Sequence, residues 1–478
     1  MRNLKALFLI CIASLSAISC FEDNDDNAVS ASEINDFVWK GMNVFYLYKE
    51  NIPNLANDRF SSNAEYANYL NSFFDPFDLF ESLIYERETV DRFSWIVDDY
   101  FELENQFNGI SATNGMEFDL FFSPNTNQTE VIGIVRLVLK NSDADLKGLK
   151  RGDIFYAIDG NVLTENNFSS LLTQNDYTLN LGVLNDQGTP DRLDDTVDVG
   201  TESISLSKAQ YTENPVYETN IRNIGGENVG YLVYNGFNAS FESELNDAFS
   251  EFKSNNVQHL VLDLRYNPGG RVSTGAFLAS MITGQFTGEV FSKVIYNENL
   301  QEANNIYNFT TKIEDGTTIN SLNLQKIYVL TTDRSASASE GLINGLIPFI
   351  EVVQIGTNTT GKTQASITIY DSADFGRQGA NPSHTYAMQP LVANAVNKND
   401  EAVPGSGLTP SLGFELDEDP FNYGVLGDVN ETLLAAALAD IENSTGKLSI
   451  IKSIPKISLK RIKDSNDFNP FEGGMLID

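Results

Sequence analysis

Between residues 206 and 450 the chain alternates two apolar patterns, and that alternation most restricts its fold. "VGYLVYNGF" reads as a strand and "ESELNDAFSEFKSN" as an amphipathic helix. "VQHLVLDLR" is a continuous apolar run of buried-strand length, followed by the helical "GAFLASMITG" and the strand "KIYVLTT". "SEGLINGL" then reads as helix and "VVQIG" as strand. Strand patterns interleaved with helix patterns predict an α/β layered fold, because each strand must bury both faces under helices.

The flanks obey other periods. Residues 31–111 place Ile34, Phe37, Val38, Met42 and Phe45 at helical spacing behind serine cap candidates. "NAEYANYLNSFF" and "RFSWIVDDYFELENQF" continue the pattern, so a small helical N-terminal domain is expected. Over 112–205 the period shifts toward two, with turn signals at Gly148, Gly152 and Asp159-Gly160. Here "NSDADLKGLKRGDIFYAIDG" resembles a PDZ domain of bacterial proteases. The resemblance implies that "NGMEFDLFF" (114–122) supplies an edge for an extended peptide. A β-domain that only packs is the alternative. Residues 451–478 form a C-terminal tail with no assigned role.

The N-terminus reads as a leader. Arg2 and Lys5 precede the apolar "ALFLICIASLSA", which is too short for a stable membrane span. "AISC" resembles a bacterial lipobox with Ala17 in place of the usual leucine, and implies a signal peptide over 1–19 and a lipid on Cys20. An ordinary secretory signal is the alternative. Residues 20–30 then form an acidic tether, and the expected location is the outer membrane, on its periplasmic face or at the cell surface. Cys11 and Cys20 are the only cysteines, so cleavage and lipidation leave none for a disulfide. A net charge of −35 argues against nucleic acid as partner.

Three short stretches can carry chemistry. "DLRYNPGG" (263–270) ends a buried strand in a turn whose glycines allow exposed N–H groups, or simply a tight turn. "SASASE" (335–340) puts serines where a strand gives way to a helix; each could be a cap or an exposed nucleophile. Lys362 follows Gly361 after another strand, and serves as a base only if it is held neutral. His259 and His384 are the only histidines, one before a buried strand and one in a loop. No clustered metal-ligand set or phosphate loop is present, so no metal or cofactor is expected.

Taken together, "DLRYNPGG", "SASASE" and "GK" resemble the C-terminal processing peptidases, which pair a serine with a lysine about 25 residues later; here Ser337 and Lys362 are 25 apart. The resemblance implies Ser337 as nucleophile, Lys362 as general base and Glu340 as an assisting carboxylate. It implies Ala338, Gly269 and Gly270 as oxyanion donors. Many members carry glutamine four residues past the lysine, where this chain has Ser366, with Gln364 two past it. The expectation is a Ser/Lys peptidase core over 206–450, cleaving a protein or peptide held by its tail. A catalytically inactive, peptide-binding lipoprotein on the same fold is the alternative.

Overall fold

A computed structural model describes residues 32–443, apart from 125, 127 and 190–193, together with 459–468 and 475–477. Cys20, the leader and the tether lie outside the described residues. The chain is a multidomain α/β protein that divides into two compact units. One runs to Asp98 and adds Thr368–Pro390; the other comprises Asp99–Ile367 and the chain from Leu391 on.

The first unit is largely helical. Helix α1 (Glu33–Phe45) starts where the Ser32 hydroxyl accepts the Asn35 N–H, and it buries Phe37, Val38, Trp39 and Met42. Helices α2 (Asn63–Leu70) and α3 (Pro76–Ser82) are capped likewise by Ser62 and Asp75. The helix expected across "RFSWIVDDYFELENQF" is interrupted. Trp95–Val97 is a strand antiparallel to Ala387–Gln389, and helix begins only at Tyr100, in the second unit, behind the Asp99 cap. The β-branched and aromatic "WIV" follows its strand propensity because an extended partner is available.

The second unit opens with an antiparallel β-domain. Its strands are β1 (Met116–Phe122), β2 (Val131–Val138), β3 (Ile154–Ile158), β4 (Asp176–Asn185) and β5 (Thr196–Ser207), paired in that order. Asp159 and Gly160 take φ of 51° and 78° in the turn after β3, as their hairpin signal predicts. The short helix α4 (Phe168–Leu172) covers the sheet; Phe118, Val135, Phe155, Phe168 and Leu179 form the core beneath it.

The rest of the unit is the α/β core. Its elements in chain order are β6 (Val216–Ile224), β7 (Glu227–Tyr234), α5 (Glu242–Ser254), β8 (His259–Asp263), β9 (Gly270–Arg271) and α6 (Val272–Thr283). There follow β10 (Val290–Tyr296), β11 (Asn305–Asn308), β12 (Lys326–Thr331), α7 (Ala338–Leu346), β13 (Glu351–Gly356), β14 (Gln364–Ser366) and β15 (Leu391–Asn397). Helix α8 (Thr432–Asn443), β16 (Arg461–Asp464) and β17 (Met475–Leu476) complete the set.

One sheet has the order β6–β7–β8–β12–β13, parallel except for β6. Strand alternation explains why both faces are apolar. Leu232, Leu262 and Val329 face α5, α6 and α7, whereas Tyr231, Val261 and Leu330 share a core with α8. A second sheet has the order β9–β17–β14–β15–β10–β11, and β16 extends the β-domain by pairing with β1. Among the described residues no helix is long and apolar enough to cross a membrane.

Candidate active site

The three motifs lie in the loops that leave the carboxyl ends of β8, β12 and β13, where open α/β sheets hold their ligands. The serines of "SASAS" divide their work. Ser335 Oγ donates to the Leu264 carbonyl at 2.8 Å and Ser339 Oγ to the Asn267 carbonyl at 3.0 Å. Both therefore stitch this loop to the "DLRYNPGG" turn, helped by the Ala336 N–H on the Asn267 carbonyl at 3.1 Å. Ser337 is different: it is fully buried and its Oγ makes no hydrogen bond. Its φ of 62° is unusual for a non-glycine residue and marks strain at the start of α7.

Glu340 joins the serine loop to the lysine loop. Its buried carboxylate accepts the N–H groups of Ser337 at 2.8 Å, Gly361 at 2.7 Å and Lys362 at 2.9 Å, and the Thr359 hydroxyl. One oxygen, Oε2, receives both the Ser337 and the Lys362 N–H. Burial pushes the Glu340 carboxyl above its ordinary range, and these four hydrogen bonds oppose that rise. Lys362 is buried at 2% exposure. The structure thus brings Ser337, Glu340 and Lys362 together, although Ser337 Oγ does not bond to the lysine. Ser366, at the position of the expected glutamine, is a buried serine on β14 whose hydroxyl also lacks a partner.

Gly269 and Gly270 have φ of 115° and 131°, open to glycine alone. A Cβ on Gly269 would stand 2.7 Å from Ser337 Cβ and 3.0 Å from both Ser337 Oγ and the Ala338 N. Room beside the serine is what Gly269 supplies, since its own N–H already donates to Asn267 Oδ1 at 2.9 Å. The Ala338 N–H is the first of α7 and has no intrahelical acceptor. Both glycines line a cavity of about 140 Å³. Glu213 lines it too, its carboxyl pushed up to about 7 by burial and by the Glu117 charge.

The turn is anchored from below. Arg265, fully buried, gives Nη1 and Nη2 to Glu431 at 2.8 and 3.0 Å, Nη1 to Glu418 at 2.9 Å, and Nε to Asp263 at 2.9 Å. Burial alone would raise the Glu418 carboxyl, but Arg265 and Arg151 outweigh it and hold it down at about 2. Arg334, three residues ahead of Ser337, pairs with Asp119 of β1 and with Asp464 of β16. Neither Arg334 nor Asn267 is evident from the sequence, because each acts through partners distant along the chain.

The histidines stand elsewhere. His259 begins β8, at the amino end of the sheet, and bonds to Glu227. His384 lies in the first unit, 3.0 Å from Asp371. No group of three or more His, Cys, Asp or Glu side chains placed to hold a metal occurs among the described residues.

Known proteins resemble the chain over two stretches. Residues 228–375 match the peptidase family S41, and residues 33–95 match the peptidase S41 N-terminal domain. A carboxyl-terminal-processing protease of Picosynechococcus is 26% identical over 350 residues, 71% of this chain and 73% of the relative. A carboxyl-terminal-processing protease of Synechocystis is 26% identical over 249 residues, about half of each chain at 52% and 53%. The solved structure of a Bacteroides fragilis protein assigned to the S41 proteases superposes with a TM-score of 0.69 at 25% identity. That superposition covers 85% of this chain and 97% of the other. These matches, spread over helical start and α/β core alike, support a serine peptidase similar to the C-terminal processing peptidases of family S41.

Proposed function

We propose that the chain is a serine endopeptidase that cleaves protein or peptide tails through an acyl-enzyme on Ser337. The observation that carries the reading is the buried, unbonded Ser337 hydroxyl at a strained helix start, flanked by two serines whose hydroxyls are committed to the backbone. Ser337 Oγ attacks the scissile carbonyl while Lys362, when neutral, takes its proton and then returns it to the leaving amine. The N–H groups of Ala338 and Gly270 receive the oxyanion, with Gly269 giving the substrate space. Glu340 is a positioning residue: it fixes the backbone on both sides of the dyad. Water then hydrolyses the ester and frees Ser337. A fluorophosphonate probe should label Ser337, located by mass spectrometry, and the chain should digest casein or a tailed peptide. A folded chain that is neither labelled nor active would leave the peptide-binding lipoprotein as the reading.

The β-domain is proposed as a PDZ-like module that holds an extended peptide at the edge of β1. The leader is proposed to end before Cys20, whose thiol carries lipid and holds the protein at the outer membrane. Expressed from the full sequence in a bacterial host, the protein should partition into detergent and take up labelled palmitate. Cys20→Ala should abolish both, and a labelled Cys20→Ala chain would reject the anchor.

A further inference from the structure

Residues 459–468 and 475–477 add one strand to each of two sheets of the second unit. β16 runs antiparallel along β1, with Lys463 opposite Leu120 and Asp464 opposite Asp119. Phe468 follows, its ring centroid 6.0 Å from that of Phe118 on β1 and 6.2 Å from that of Phe168 on α4. It lines a groove of about 640 Å³ together with Met116, Leu172 and Tyr177. β17 runs parallel between β9 and β14, so that Met475 stands opposite both Gly270 and Ala365. The Ile477 N–H donates to the Ser366 carbonyl at 3.3 Å. Met475 is 2% exposed, and its methyl lies 3.4 Å from where a Cβ on Gly341 of α7 would sit. Asn466 and Leu476 help wall the cavity that the two glycines of the "DLRYNPGG" turn line.

Charge fastens this segment to the machinery. The Asp464 carboxylate is 3.4 Å from Nη1 of the fully buried Arg136 and 3.0 Å from Arg334 Nε. Arg334 belongs to the loop that carries Ser337. The segment therefore touches the β1 edge, the groove beside α4, the serine loop and the glycine turn. An extended peptide held at β1 and delivered to Ser337 must use the same edges, because a sheet edge offers one row of N–H and C=O groups to one strand.

We infer that residues 459–468 and 475–477 are a resident occupant of the substrate path, which an incoming peptide must displace before it is cleaved. That these edges are the substrate path rests on the peptide edge at β1 given above, and the effect on rate rests on the peptidase reading. An occupant in place lowers the apparent affinity for substrate by the fraction of chains that are open.

The test uses the full chain. Met475→Asp puts a charge in an apolar site, Ile477→Pro removes the donor to Ser366, and Phe468→Ala removes the ring contacts with Phe118 and Phe168 without touching β17. In a Ser337→Ala background, Met475→Asp and Ile477→Pro should speed amide exchange over residues 364–366 and 270–271. Phe468→Ala should do so along β1. With Ser337 present, cleavage at low substrate should rise roughly tenfold through KM, kcat changing little. A synthetic peptide copying 459–477 should inhibit the opened variants competitively. Unchanged exchange in all three overturns the proposal. Faster exchange with unchanged cleavage, in a chain that does cleave, makes the segment purely architectural and also overturns it. If no chain with Ser337 is ever labelled or active, the peptidase reading falls instead. Binding of the fluorescent copy peptide to Met475→Asp, and not to the parent, would then still establish occupancy; no binding would reject it.

Discussion

Alanine at Ser337 will lower peptide cleavage by roughly four to six orders of magnitude, and alanine at Lys362 will do much the same. Nucleophile and base serve one proton transfer, so their losses will not add. The double variant should retain the residual rate of either single one, supplied by binding and the oxyanion N–H groups. Lys362→Arg should be as inactive, since a guanidinium stays protonated and cannot accept the serine proton. Ser335→Ala and Ser339→Ala provide the contrast. Ser339→Ala removes one backbone tie and Ser335→Ala two, since Ser335 Oγ also accepts the Thr332 N–H at 3.0 Å; each tie is a net loss of about 1 kcal/mol, and both variants leave Ser337 open to the fluorophosphonate probe. Initial rates on a tailed peptide, with folding checked by circular dichroism, measure all six variants. Near-normal turnover by Lys362→Ala would remove it as the base.

Arg265→Ala will have the largest effect on stability. It leaves Glu431 and Asp263 buried without their cation, and breaking a buried pair in this way costs roughly 3–5 kcal/mol. Arg265→Lys will lie between, since an ammonium keeps the charge but cannot span both oxygens of Glu431. The loss depends on pH with a defined sign. Glu418 ionises at about 2 in the folded chain against an ordinary 4.5. Its contribution is therefore complete above about pH 4.5 and disappears as the pH falls toward 2. Urea midpoints of the α/β core at pH 7 and pH 3 should differ strongly for the parent and less for Arg265→Ala. Equal pH dependence in both would show that Arg265 does not set the charge state of Glu418.

The site was legible because each of its motifs ends a strand. "VQHLVLDLR", "KIYVLTT" and "VVQIG" are apolar runs that only a covered parallel sheet can bury, and the residues after them must emerge at one edge. The serine–lysine spacing then singled out Ser337 through the family resemblance. The structure adds why the middle serine differs: its neighbours are held by the Leu264 and Asn267 carbonyls. Those acceptors lie some seventy residues away and leave no local signature. The same reason hid Arg334, whose role comes from Asp119 and Asp464. Helix at "WIV" was expected because periodicity cannot sense a partner at Ala387–Gln389. β16 and β17 escaped notice for a related cause. A strand of two to four residues has too short a period to detect, and the edges it joins decide its conformation.

The division of the first unit between two stretches of chain has a consequence for biosynthesis. Asp98 and the returning Thr368–Pro390 are separated by the whole of the β-domain and most of the α/β core. At roughly 5–20 residues per second a ribosome needs about 15–60 s to pass from one stretch to the other. Until then the edge of Trp95–Val97 has no partner, whether the nascent chain waits in the cytosol or threads through a membrane pore. The part made first is thus among the last to be completed, and a holdase that shields the opening hundred residues during that interval would raise the yield of folded protein.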